Sequence, residues 1–280
     1  MKKATVKIPA KINLTLDIEG VKNGYHVLSS LVVSVDIYDK ITVRPRKEDV
    51  ISISFCGLPV GVNGKNSNAY FAADKFRREF STGGVDICVE RNIPAGAGLG
   101  GSSADMAGVL SAMKKLFDVK RDVYYIAENL GSDVVYMMNG GCAVMKDRGE
   151  IIEPISGVKR RLYFIIVTGT AGVSTGECYR GFDKQGKIYI RNTPIAVKLL
   201  QEDDPDNLFK VIKNDLYESA KTILPEIETT LERLKQFGEA CMTGSGSAVY
   251  AVFKDKKKRD KAYKALLPEF GARLLKAQTV

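Results

Sequence analysis

The chain has 280 residues, 45% hydrophobic and 27% charged, which suits one large domain or two modest ones around a real core. Such a composition excludes a disordered chain, and no stretch nears the ~18 uninterrupted apolar residues of a membrane span. The net charge is +9, much of it in the run Lys254 to Lys261, which opens a predicted helix and reads as a solvated face. The lysines of the N-terminus lead into no apolar run of signal-peptide length, so a cytoplasmic protein with no membrane role is expected. Nucleic-acid binding would call for aromatics interleaved with basic residues or a recognition motif, and neither is found, whereas an anionic small substrate fits the charge. Five scattered cysteines without a CxxC pair read as free thiols, and a lone histidine, His26, excludes a histidine-cluster metal site.

In chain order, TVKIPAKINLTLDI, VLSSLVVSVDIY, ITVRP and VISISF show β-branched runs broken by Gly, Asn and Pro, and predict strands. NAYFAADKFRREF has helical spacing, and VDICVERNI is again a strand. The segment PAGAGLGGSSADMAGVLSAMKKLF begins as a loop and becomes a helix from about Ser103. Two short helices, DVYYIAENLG and SDVVYMMN, precede the hairpin GCAVMKDRGEIIEPI. A boundary is expected near Pro154 to Arg161, dividing residues 1–155 from 156–280. Beyond it come a strand (LYFIIVTG) and helices over Thr175 to Asp183, Pro194 to Glu202, Leu208 to Ile223 and Glu226 to Phe237. The strand–loop–strand EACMTGSGSAVYAVF, a charged helix and a final strand close the chain. Without regular βα alternation the fold class is α+β.

Gly96, Gly98 and Gly101 spell GxGxxG between a strand and a helix. A dinucleotide fold would need a parallel strand ending in an acid ~20 residues on, and the residues after Asp118 read as helix instead. No lysine follows the glycines as in GxxxxGK[ST], and HRD and DFG elements are absent. The shared physics of such loops remains: glycines let backbone N–H groups approach phosphate oxygens, and a helix N-terminus adds roughly half a positive charge. Ser102 and Ser103 can cap that helix while offering hydroxyls to a phosphate or to Mg²⁺. The alternative is a plain tight turn, which needs one or two glycines where this loop also carries Gly100.

The loop PAGAGLGGSSADMA resembles the nucleotide-binding motif of the GHMP kinases (galactokinase, homoserine, mevalonate and related kinases). PAKINLTLDI resembles the family's first motif and MTGSGSAVYAVF its third, in order across nearly the whole chain. The resemblance implies a two-domain GHMP-kinase-like fold with the active site in a cleft between the halves, and ATP and Mg²⁺ as cofactors. ATP would meet Pro94, Gly96, Gly98, Leu99, Gly100, Gly101, Ser102 and Ser103, with Ser103 also toward the metal.

Further segments, NGYH (Asn23 to His26), LGSDVVYMM and VSTGECYRGFD, are similar to those of family members acting on a small cytidine-diphosphate substrate. Ser102 and Val135 depart from that pattern, where glycine and proline are more usual. On this resemblance Asp133 accepts the proton of the attacking hydroxyl and Lys11 supplies positive charge. Asn13 shares a strand face with Lys11 and would bond substrate hydroxyls. Tyr25, His26 and Tyr179 would frame the base, with Thr175 one turn before Tyr179. Gly244 and Ser245 would lie on the acceptor or phosphate side. Each has a structural alternative: Asp133 a helix-start acid, Lys11 a strand lysine, Tyr25 and His26 turn residues, Tyr179 a core aromatic, Gly244 to Gly246 a hairpin turn. A monomer or homodimer is expected. Another kinase of the family, or a silent nucleotide-binding relative, are the competing functions.

Overall fold

The β-branched runs of the first half fold as β1 (Ala4–Asn13), β2 (Thr15–Lys22), β3 (Tyr25–Pro45) and β4 (Ile51–Gly57). Then come α1 (Asn68–Phe80), β5 (Val85–Arg91), α2 (Gly101–Leu116), α3 (Tyr124–Glu128), α4 (Val134–Asn139), β6 (Cys142–Asp147) and β7 (Ile151–Pro154). The second half runs β8 (Tyr163–Val167), α5 (Thr175–Asp183), α6 (Thr193–Gln201), α7 (Pro205–Val211), β9 (Lys213–Asn214) and α8 (Tyr217–Ile223). It ends with α9 (Glu226–Lys235), β10 (Glu239–Met242), β11 (Val249–Phe253), α10 (Lys256–Phe270) and β12 (Leu274–Gln278). This computed structural model describes residues 2–59, 64–185 and 191–280. The mixture is α+β, as expected.

Two expectations about elements need correction. VLSSLVVSVDIY and ITVRP are one strand, because β3 continues through Asp39 and Lys40 to pair with β5. The helix expected over Leu208 to Ile223 is two helices separated by β9. Here tertiary bonding overrides helical spacing: β9 pairs in parallel with β2, and the Asn214 side chain accepts from Leu216 N while donating to the carbonyls of Met242 and Gly244.

Contacts resolve the chain into two compact units. One holds Met1–Ala10, Ile37–Ala95 and Gly100–Gly140; the other holds Lys11–Asp36, Gly96–Leu99 and Gly141–Val280.

In the first unit β5 lies between β4, in parallel, and the end of β3, antiparallel. Its alternation buries Val85, Ile87 and Val89 on one face. α1 starts where Ser67 Oγ accepts the Tyr70 N–H, and its Ala69, Ala72, Ala73 and Phe76 form a buried stripe at helical spacing. α1 packs on α2, which is buried nearly all round because its small residues admit close neighbours. At Gly108 a Cβ would stand 2.4 Å from Ile41 Cδ1, so β3 needs that glycine.

In the second unit β10, β11, β8 and β12 form an antiparallel sheet in that order. Ile165, Val167, Val249, Ala251 and Leu274 join Phe182, Ala220, Leu231 and Leu266 from the helices in one core. The start of β3 pairs with β2 and with β6. Asn23 (φ 53°) and Gly24 (φ 78°) make the two-residue loop of the β2–β3 hairpin, closed by the pair Lys22 and Tyr25. Asn-Gly suits this loop because both positions need positive φ.

Candidate active site

The second unit gathers most of the expected residues. Lys11, only 3% exposed, lies on β1 with Asn13, and its Nζ donates to Asn13 Oδ1 at 2.5 Å. Alternation along the strand places them on one face, as predicted. Asn13 Oδ1 also accepts from Gly244 N at 3.0 Å, and Asn13 Nδ2 donates to Ser30 Oγ at 2.7 Å. Thr243 Oγ1 accepts the Asn13 N–H at 3.0 Å and can give its own proton to Asn13 Oδ1 or to the Gly98 carbonyl. Asn13 therefore braces β1 to the β10–β11 turn, leaving one amide N–H outside these bonds.

Gly96 to Leu99 lie against the same turn. Leu99 is buried, and its carbonyl accepts the Lys11 N–H at 3.0 Å. Ser247 N and Ala248 N donate to the carbonyls of Gly96 and Ala97. At Gly98 (φ 73°) a Cβ would fall 2.1 Å from the Thr243 carbonyl oxygen, and at Gly244 (φ 59°) one would fall 3.0 Å from Gly98 Cα. These two glycines meet backbone to backbone, a tolerance no other residue has. Ser245 Oγ meets Thr175 Oγ1 at 2.9 Å.

At the β2–β3 hairpin His26 stacks on Tyr179 of α5, ring centroids 4.8 Å apart and planes at 28°. Its Nε2 lies 2.9 Å from Asp183 Oδ1, and Phe182 meets the ring edge-on. Tyr25 points elsewhere on the hairpin, 55% exposed, with the Arg148 guanidinium 4.2 Å over its ring. His26 and Tyr179 are thus brought together. Asp183 and Arg148 were missed by sequence reasoning; Asp183, one helical turn after Tyr179, was the legible signal.

A buried polar network also escaped it. Thr15 Oγ1 meets Thr193 Oγ1 at 2.7 Å, and Asp17 Oδ2 accepts Thr193 N at 2.7 Å, fixing the start of α6 to β2.

The first unit holds the rest. Pro94, half-buried, follows Ile93 out of β5. Ser102 and Ser103 do not cap α2: Gly100, at φ 83°, is the N-cap, and both serines sit inside the first turn. The first intrahelical bond is Ala104 N to the Gly100 carbonyl, so the amides of Gly101, Ser102 and Ser103 precede the helical ladder. That is an anion-ready helix start, with Ser102 exposed and Ser103 half-buried. Gly101 packs on the loop's entry, its absent Cβ 3.3 Å from Ile93 Cγ2. Asp133 is the N-cap residue of α4, half-buried, and its side chain makes no capping bond to that helix. Among the described residues no three His, Cys, Asp or Glu side chains could together hold a metal ion. No helix among them is long and apolar enough to cross a membrane.

The models of the GHMP kinases N terminal domain and the GHMP kinases C terminal domain match residues 67–145 and 196–273. The chain belongs to the GHMP kinase family and has its two-domain α+β fold. Its activity is that of the family, phosphorylation of a small molecule. A Clostridium perfringens protein named 4-diphosphocytidyl-2-C-methyl-D-erythritol kinase is 34% identical over 269 residues, covering 93% of this chain and 92% of its own. The crystal structure of a 4-(cytidine 5'-diphospho)-2C-methyl-D-erythritol kinase superposes with a TM-score of 0.81 at 27% identity, over 98% of both chains. L. major mevalonate kinase in complex with R-mevalonate shares the fold, at a TM-score of 0.78, 18% identity and 99% and 97% coverage.

Proposed function

We propose that this chain transfers the γ-phosphoryl group of ATP to the 2-hydroxyl of 4-diphosphocytidyl-2-C-methyl-D-erythritol. The observation that carries the acceptor is the aromatic and polar group at the β2–β3 hairpin, His26 stacked on Tyr179 with Asp183 at its Nε2, suited to a flat polar base. The relatives named for this activity span nearly the whole chain, which supports the same reading.

The residues fit a nucleotide at the start of α2, where the amides of Gly101 to Ser103 precede the helical ladder. Ser103 Oγ would be the protein oxygen available to Mg²⁺ there, an oxygen donor of the kind that ion takes. When bound it neutralises phosphate charge. Asp133 takes the proton of the attacking hydroxyl as the new P–O bond forms and the bond to ADP breaks. Lys11 presents an ammonium to the transferring group, and its bond to Asn13 holds it in one rotamer.

Release of ADP measured with the full conjugate, methylerythritol 4-phosphate, homoserine and mevalonate as acceptors tests this. Turnover of the conjugate alone is expected. Efficient use of homoserine or mevalonate, with none of the conjugate, would overturn the acceptor and leave a kinase of the family.

A further inference from the structure

A buried charged node stands beneath the glycine loop, in the first unit, and none of the roles above uses it. Asp39, fully buried on β3, accepts the N–H groups of Asn92 and Ile93 through one oxygen, Oδ1, at 2.6 and 2.8 Å. These are the two residues that lead from β5 into Pro94. Next to them Arg91 forms an ion pair with Asp105, fully buried on α2 just after its first turn. The Arg91 guanidinium also lies over the Phe55 ring, 4.9 Å from its centroid. One acid thus grips the loop's entry, and a salt bridge from the same strand end grips its exit. Gly101, packed on Ile93, brings the two stems into contact.

Stability alone does not account for such a node. Asp39 Oδ2, Asp105 Oδ1 and Arg91 Nε are all buried without a hydrogen-bond partner among the protein groups. Buried polar atoms left this way cost free energy, and a buried ion pair contributes little net stability against an apolar replacement. Burial also pushes Asp105 up to about 6 despite Arg91 beside it, with Asp39 adding to the rise. What the node does supply is direction: two fixed backbone N–H groups and one fixed helix start. A displacement of ~1 Å at a phosphate-binding amide is enough to lose much of its effect.

We infer that Asp39, Arg91 and Asp105 are positioning residues that set the two stems of the glycine loop for the nucleotide. The nucleotide consequence rests on the ATP reading above; the grip on the stems does not. Hydrogen exchange of the folded chain reads the second, and steady-state kinetics with ATP and the full conjugate read the first.

In Asp39→Asn and Asp105→Asn, amide exchange at Asn92, Ile93 and Ala104, whose N–H groups are bonded in the native stems, should quicken about tenfold, equivalent to ~1.4 kcal/mol of local opening. Exchange in β8 and β11 should not change. The KM for ATP should rise about tenfold while kcat and the acceptor KM stay within about threefold, a split that general destabilisation does not produce. Asp105→Glu, which keeps the charge, should recover part of the loss. If either amide variant fails to fold, Arg91→Lys reads the same arms, since it keeps the charge and loses the planar fork. Unchanged exchange at the stems, or equal quickening throughout the chain, would overturn the node. Loosened stems in a chain whose wild type binds no ATP would overturn the nucleotide role, and the reading of the preceding section with it.

Discussion

The two halves of the glycine loop look alike in sequence and are spent differently. Gly96 to Leu99 are occupied by protein: their carbonyls take N–H groups of the β10–β11 turn and of Lys11, and Gly98 leaves no room for a side chain. Gly100 to Ser103 start a helix whose first amides precede its own ladder. A glycine-rich motif therefore mixes two demands, close backbone packing and anion approach, and only the second concerns a ligand directly. Substitutions should separate them, because one kind of residue carries stability and the other carries chemistry.

The largest effect is expected on the chemical side. Asp133→Asn should lower kcat by roughly 10²–10⁴, the usual contribution of a general base. The variant should still fold, since no cap of α4 is lost. Near-normal turnover from a folded variant would remove Asp133 from the reaction.

Gly98→Val should do the reverse. Strain from a β-branched residue at positive φ and the clash with the Thr243 carbonyl together cost about 2–6 kcal/mol. That is a large share of a typical 5–15 kcal/mol stability. Denaturant unfolding without nucleotide checks it. A normal midpoint combined with lost ATP binding would show that this half of the loop also serves the phosphate.

A third comparison uses pH. Asp105 sits at about 6 in the folded chain against an ordinary 3.8, so the native state holds its proton longer than the unfolded chain does. Its contribution is fully present below about pH 4 and is lost as pH rises through about 6. Over that window wild type should lose up to about 3 kcal/mol relative to Asp105→Asn, by linkage. Parallel stability curves for the two proteins between pH 4 and 7 would contradict the raised pKa.

The smallest effect is expected at the hairpin, where Tyr179→Ala should weaken acceptor binding by about 1–3 kcal/mol, the scale of base–aromatic stacking. ATP affinity should hardly move. Equal losses for both ligands, seen in separate titrations, would return Tyr179 to a packing role.

How much of this was legible follows from the range of the forces involved. The strand and helix runs announce themselves through local periodicity, and the three motifs place Lys11, the glycine loop and the Gly244 turn in sequence. Local pattern could not show that Gly98 meets Thr243, because the partner lies 145 residues away and the need is for an absent side chain. Nor could it break the helix expected over Leu208 to Ile223, where the Asn214 side chain satisfies two distant carbonyls. The serines of the loop looked like caps by type, yet Gly100 with its positive φ takes that place. Asp39 is harder still, since an acid in the middle of a β-branched strand gives no hint that it grips two amides more than fifty residues on.

The proposed reaction is phosphoryl transfer from ATP to one hydroxyl of a cytidine-diphosphate conjugate. Phosphorus NMR of a reaction containing the chain, Mg²⁺, ATP and 4-diphosphocytidyl-2-C-methyl-D-erythritol tests it most directly. A new phosphomonoester signal on the 2-hydroxyl is expected, growing in step with ADP while the diphosphate signals of the conjugate persist. ADP formed with no new ester on the conjugate, or an ester formed only when a different alcohol is supplied, would contradict it.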